Sequence, residues 1–255
     1  MRLEVLGCAG GIGGRERYTT CLLVDHDILL DAGTGLTRLD LERMLEIDHV
    51  FITHAHLDHV AGLALLLDAV QGKRSAPVTV HASAQVIGAL RKHLFNWVLW
   101  PDFGTIPDAG HPILRWQPVE TGAAFELAGR RIAAHPVNHT PGSLAYAVDC
   151  GSDGFLFTGD MASTPVLWAM LAREPALSKA IVDCSFADAD RRIAELSLHF
   201  CPHSLLADIE PVARPVEFLI YHLKPGHEEL IMRELAQHAG SRRIKALACG
   251  DVFHF

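Results

Sequence analysis

The chain has 255 residues, 49% of them apolar and 20% charged, with a formal net charge of -8 at neutral pH. This composition suits a soluble globular enzyme of one large domain over 1–255 with a substantial core. Lys and Arg are scattered, with no basic face or stripe, which argues against a long nucleic acid as partner and leaves a small molecule.

The first strand-like runs are 3–6, 20–25 and 28–31, joined by Gly-rich or Asp-rich turns. A helical pattern at 39–45 precedes an apolar strand at 49–53 and a helix at 59–70, with Asp58 suited to the N-terminus of that helix. A strand at 78–81 and a helix at 84–95 follow, and the Trp-, Pro- and Gly-rich stretch 96–111 is expected to be irregular. A second strand-rich block covers 113–116, 124–127, 131–136, 143–149 and 155–158. Helix and strand then alternate: 165–171, 180–183, 190–198, 216–222, 228–238 and 244–248. Two strand-rich blocks, each followed by helices, predict two sheets packed face to face with helices outside and pseudo-twofold layering.

The chemistry concentrates where strand 49–53 gives way to the next helix, in His54-Ala55-His56-Leu57-Asp58-His59. His54 and His56, two apart on an extended turn, can grip one metal ion, while Asp58 and His59 at the helix start can reach a second. Imidazole and carboxylate suit zinc first, and also manganese or iron, so the run predicts a dinuclear hydrolytic site. A polar surface cluster would not be flanked on both sides by buried hydrophobic segments. Three later residues, each at the end of a strand-like run, can complete the two ions. His139 would finish the His54/His56 site, Asp160 behind Gly159 would bridge both ions, and His222 would finish the Asp58/His59 site.

The ordered set HxHxDH, His139, Asp160 and His222 resembles the metallo-β-lactamase fold superfamily. More narrowly, 6–14, Asp31-Ala32-Gly33-Thr34-Gly35, 54–67, Val137-Asn138-His139-Thr140 and His222-Leu223-Lys224-Pro225 are similar to class II cyclic-nucleotide phosphodiesterases. The resemblance runs through nearly the whole chain. It implies a four-layer αβ/βα sandwich, a homodimer, and hydrolysis of a 3′,5′-cyclic nucleotide such as cyclic AMP to the 5′-monophosphate. Two divalent ions bring four positive charges. Asp58, Asp160 and a bridging hydroxide remove three, leaving a site of about +1 that complements a phosphodiester. Asp58 is therefore a candidate catalytic residue as well as a ligand. His199, in a stretch where relatives carry a His near the metals, is the candidate proton donor to the leaving oxygen, with His203 behind it. Asp183 can orient a ligand imidazole.

Other features are read more plainly. The glycines of 7–14 precede a strand and not a helix, so they predict a mobile turn near the site mouth and not a dinucleotide loop. His81 and His135 are expected to be packed or hydrogen-bonded, and His227, at a helix start, ranks behind His222. Trp97, Trp100 and Phe103 can either stack a base or fill core. Cys8, Cys21, Cys150, Cys184, Cys201 and Cys249 form no CxxC pair and are expected to be reduced, mostly buried thiols. The start is too short and too charged for a secretory leader, and no apolar run reaches bilayer length, so a cytoplasmic location without membrane contact is expected. The alternative functions are a tRNA 3′-processing endonuclease, a thioester or lactam hydrolase, and an inactive binding protein on the same fold.

Overall fold

In the computed structural model, which describes residues 1–15, 17–122 and 124–255, the chain folds into two seven-stranded mixed sheets. The first holds β1 (Arg2–Gly7), β2 (Cys21–Val24), β3 (Ile28–Leu30), β4 (His49–Phe51), β5 (Val78–Ala82) and β6 (Leu114–Pro118). The second holds β7 (Ala124–Leu127), β8 (Arg130–Pro136), β9 (Leu144–Asp149), β10 (Gly154–Phe157), β11 (Leu177–Asp183), β12 (Glu217–Tyr221) and β13 (Arg243–Ala246). The chain then returns as β14 (Val252–His254) to pair with β1 at the edge of the first sheet. Each sheet shows the same sequence of pairings, antiparallel across four strands (β14-β1-β2-β3 and β7-β8-β9-β10) and parallel across the remaining ones. The expected pseudo-twofold layering therefore has a concrete form.

The helices are α1 (Leu41–Leu45), α2 (Leu57–Val70), α3 (Ala84–His93), α4 (Pro165–Arg173), α5 (Arg191–Ser197), α6 (Pro202–Asp208) and α7 (Glu228–His238). Strand alternation sorts the apolar side chains into layers. In β1 and β2, Leu3, Val5, Leu22 and Val24 face the second sheet, whereas Leu6, Cys21 and Leu23 face α2 and α3. Leu156, Ala180, Val182, Phe218 and Ile220 likewise face α4, α6 and α7, while Phe155, Phe157, Ile181 and Leu219 meet the first sheet. The result is the expected four-layer αβ/βα sandwich. Two bonds tie the sheets together at one end, from Tyr146 Oη to the Ile52 carbonyl at 2.9 Å and from the Leu144 amide to the Thr53 carbonyl at 3.0 Å.

Several expectations need correcting. α2 begins at Leu57, two residues early, so Asp58 lies inside its first turn; α3 ends at His93, two residues before its predicted limit. Helix α6 and strand β14 were not predicted. Pro202 opens α6 at a position where its missing N–H costs nothing, and β14 is too short for an alternating pattern to show. The 7–14 segment is not a freely mobile turn along its length. A methyl group added at Gly10 would meet the His222 carbonyl oxygen at 2.1 Å, so this glycine is wedged against the His222 backbone. Within 96–111, Phe103 is core and Trp100 packs against it, but Trp97 is exposed.

Helix α2 approaches the loop after β3 closely because of Gly62. Its amide donates to the Ala32 carbonyl at 2.8 Å, and an added Cβ would lie 2.6 Å from the Gly33 carbonyl oxygen. Replacement Gly62→Ala raises helix propensity by about 1 kcal/mol but overpacks backbone against backbone. We expect a net loss of about 1–3 kcal/mol in urea denaturation, where an isolated helix would gain stability.

Candidate metal centre

All seven residues expected to bind metal come together at the end of the sandwich where β4, β8, β10 and β12 run out. β4 and the turn after it deliver His54 and His56, and the first turn of α2 delivers Asp58 and His59. The loop after β8 brings His139, the loop after β10 brings Asp160, and the residue after β12 is His222. Gly159 adopts φ of 60°, with Thr53 pressed against it, and turns the chain so that Asp160 points inward. His222 itself has φ of 62°, a left-handed conformation that costs a non-glycine residue about 1–2 kcal/mol.

The donor atoms form two sets that share Asp160. His54, His56, His139 and Asp160 make one, and Asp58, His59, Asp160 and His222 the other, with the donors of each within 4.8 Å of one another. Asp160 Oδ2 lies 3.7 Å from His54 Nε2 and 3.3 Å from both His59 Nε2 and His222 Nε2. His139 Nε2 is 3.3 Å from His56 Nδ1, and His222 Nε2 is 3.1 Å from Asp58 Oδ2. A tetrahedral ion with bonds of about 2.0–2.1 Å has edges of about 3.3 Å between neighbouring donors, so these separations fit.

Hydrogen bonding supplies an independent test. His54 Nε2, His59 Nε2 and Asp160 Oδ2 are fully buried and have no hydrogen-bond partner among the described residues. Leaving a buried polar atom unsatisfied costs about 1–3 kcal/mol, so three that converge on one point call for an electrophile between them.

The outward-facing atoms of the same residues are all engaged. His59 Nδ1 is 2.6 Å from Asp31 Oδ2, and Asp31 also accepts from the Thr53 amide and hydroxyl, each at 2.8 Å. Thr53 Oγ1 lies 3.0 Å from His54 Nδ1, and His139 Nδ1 donates to the Leu198 carbonyl at 3.0 Å. Tyr221 Oη donates to Asp160 Oδ1 at 2.8 Å, leaving Oδ2 free. Ser185 Oγ bridges His222 Nδ1 at 2.8 Å and Asp183 Oδ1 at 2.6 Å. With each Nδ1 of these four imidazoles held outward, each Nε2 can present a lone pair inward.

Of these supports only Asp183 was singled out from the sequence. Asp31, Thr53, Ser185 and Tyr221 were missed as supporting groups, although an acid closing the apolar run Ile28-Leu29-Leu30 is a signal for Asp31. His199 lies beside the set: its Nδ1 is 2.7 Å from Asp183 Oδ2, and its ring stacks on His222 with centroids 5.2 Å apart. Asp183, His199 and His222 form a third close group. His203 is exposed, and His227 faces Asp190 at 3.5 Å on the surface. His81 stacks on Phe51 at 4.2 Å and meets His49.

Electrostatics follow from this packing. Burial pushes Asp160 up, but His222 and His59 overcome it and hold its carboxyl well below the usual carboxylate range. Burial also pulls His59 down, yet Asp160 and Asp31 raise it well above an ordinary histidine. Desolvation depresses His54 and His139. For Asp58, burial is outweighed by the hydrogen bond from His222 and the charge of His59, so the carboxyl stays anionic.

A family profile described as a beta-lactamase superfamily domain matches residues 26–242, and the chain belongs to that superfamily. A probable 3′,5′-cyclic-nucleotide phosphodiesterase of Yersinia pestis is 28% identical over 234 residues, covering 79% of this chain and 66% of its own. Ribonuclease BN of Erwinia tasmaniensis is 27% identical over 162 residues, covering 58% of this chain and 49% of its own. The chain thus spans from about half to two thirds of the length of these curated relatives. The crystal structure of unliganded yeast PDE1 superposes with a TM-score of 0.83 at 17% identity, covering 100% of this chain and 99% of that one. That likeness establishes the metallo-β-lactamase fold.

Asp160 and Asp31 favour a proton on His59, and that proton must leave before Nε2 can bind a cation. Zinc affinity is therefore expected to rise with pH through the neutral range, with proton release on binding. Calorimetry in buffers of different ionisation enthalpy measures that release, and heats independent of buffer would contradict it. Asp31→Asn removes one of the two acids that hold the proton, so fewer protons should be released. Because the same acid orients the ring, affinity should also fall about 10–100-fold.

Proposed function

We propose that the chain is a metal-dependent phosphodiesterase that hydrolyses a 3′,5′-cyclic nucleotide to the 5′-monophosphate. The observation that carries the metal-dependent part is the buried, partnerless Oδ2 of Asp160 facing His54, His59 and His222. The Yersinia pestis relative, similar over most of the chain, supports the substrate class.

His54, His56, His139 and Asp160 would hold one divalent cation, and Asp58, His59, Asp160 and His222 a second. Zinc suits this imidazole–carboxylate set best, with manganese or iron as alternatives. When bound there, such cations would supply a water of lowered pKa, towards about 7, and polarisation of a phosphoryl oxygen. Asp58 and Asp160 are the only acids among the seven ligand residues, so the loaded site stays positive and favours the extra negative charge that develops as the phosphorus is attacked. Half-buried Asp58, kept anionic, orients the attacking water through its second carboxylate oxygen.

His199 serves as the proton donor to the departing 3′-oxygen. Burial alone would lower its pKa, but the charge and hydrogen bond of Asp183 raise it above that of an ordinary histidine, which favours the protonated ring. His199 Nδ1 is committed to Asp183, which leaves Nε2 as the donating atom. Asp183 also reaches His222 through Ser185, so one carboxylate sets the angle of both rings. A ribonuclease of the ribonuclease BN kind is the second reading, favoured by that relative; the acidic chain and its scattered basic residues weigh against it.

The deciding assay is a panel of 3′,5′-cyclic AMP, 3′,5′-cyclic GMP, 2′,3′-cyclic nucleotides and precursor tRNA, with and without chelator. Turnover of a 3′,5′-cyclic nucleotide that chelator abolishes is expected; cleavage of precursor tRNA alone would select the ribonuclease. In the His199→Ala variant, kcat should fall about 10²–10⁴-fold at unchanged zinc content. Activity of the parent should decline as pH rises through the raised His199 pKa, and the variant should lose that alkaline limb.

A further inference from the structure

Cys8 and Cys249 lie far apart in sequence but face each other across a surface cavity. Their sulfurs are 4.0 Å apart, Cys8 buried at the end of β1 and Cys249 half-exposed in the turn between β13 and β14. The cavity, about 280 Å³, is lined by both cysteines together with Arg15, Arg17, Glu228 and Leu223. Arg17 pairs with Glu228, which balances the charge of that wall, and a peroxide molecule fits such a space.

We propose that Cys8 and Cys249 are a reversible dithiol–disulfide pair, oxidised by a small peroxide entering this cavity, and that closing the bond disturbs His222. Nothing in the proposed hydrolysis uses either sulfur. The Cys249 thiolate attacks one oxygen of hydrogen peroxide, the O–O bond breaks, and the departing hydroxide takes a proton from solvent to leave as water, so Cys249 becomes a sulfenic acid. The Cys8 sulfur, giving up its proton, then attacks the sulfenic sulfur and expels its oxygen as a second water. Two electrons pass from the two thiols to one peroxide. Cys249 is the half-exposed partner at the cavity and Cys8 the buried one, which makes Cys249 the sulfur a peroxide reaches first, and the neighbouring Cys8 thiol lowers its pKa.

Forming the bond draws the sulfurs from 4.0 Å to about 2.05 Å. Both partners are anchored to the segment that carries His222. The His222 amide donates to the Cys8 carbonyl at 2.8 Å, the Leu247 amide donates to the Ile220 carbonyl at 2.8 Å, and Gly10 leaves no slack against His222. The inward shift is therefore delivered to a residue already held at φ of 62°.

The test uses the full-length chain, reduced and metal-free, treated with stoichiometric hydrogen peroxide and then digested without reduction for mass spectrometry. A Cys8–Cys249 linked peptide that dithiothreitol releases is expected. Zinc titration of the oxidised chain should show binding weakened by about tenfold or more, the size of effect seen when support for a ligand imidazole is lost. Dithiothreitol should restore the binding. In Cys249→Ala, peroxide should leave zinc binding unchanged. Cysteines that stay unlinked after peroxide would overturn the pair, and a disulfide that forms without altering zinc affinity would overturn its coupling to His222.

Discussion

The arrangement depends on one buried carboxylate. Asp160 lies in the interior with one oxygen satisfied by Tyr221 and the other aimed at three imidazoles. An anion in that position cannot stand alone, because removing a carboxylate from water costs several kcal/mol even after relaxation. Without cations, a proton on His59 supplies part of the compensation, as the upward shift of that ring shows. Bound cations would supply that compensation instead, held by Asp160 together with these imidazoles. Balanced by a proton or by metal, Asp160 joins side chains from both sheets at one point.

The fold exists to aim those groups. The central strands of each sheet are buried on both faces, so they are nearly all apolar and polar residues are displaced to their ends. At one end of the sandwich those strand ends carry His54, His139, Asp160 and His222, with left-handed backbone at Gly159 and His222 completing the approach. Asp31, itself at φ of 56°, and Asp183 form an outer ring that fixes which nitrogen of His59 and His199 faces inward. These hydrogen bonds hold the imidazoles in place before any ligand arrives, which lowers the ordering cost of binding.

Much of this was legible in the chain because the chemistry is locally dense. Three imidazoles and an acid within six residues, between an apolar strand and an apolar helix, have few other readings. His139, Asp160 and His222 could be added because each closes a strand-like run. The layering was legible from the alternation of strand and helix patterns. The supporting groups were not, since Thr53, Ser185 and Tyr221 are ordinary residue types whose role depends on contacts between distant segments. The Gly10 contact with His222 was misread as mobility for the same reason: a glycine that frees a turn and one that admits a neighbouring backbone look identical in sequence. Helix α6, seven residues long behind a proline, and the three-residue β14 are too short for periodicity to register.

The most direct test is crystallographic: anomalous scattering at the zinc edge from crystals of the full chain grown with zinc. Two separate peaks are expected, one on either side of Asp160 Oδ2, the first within reach of His54, His56 and His139 and the second within reach of Asp58, His59 and His222. A single peak, or peaks that leave Asp160 without a metal contact, would contradict a shared dinuclear centre.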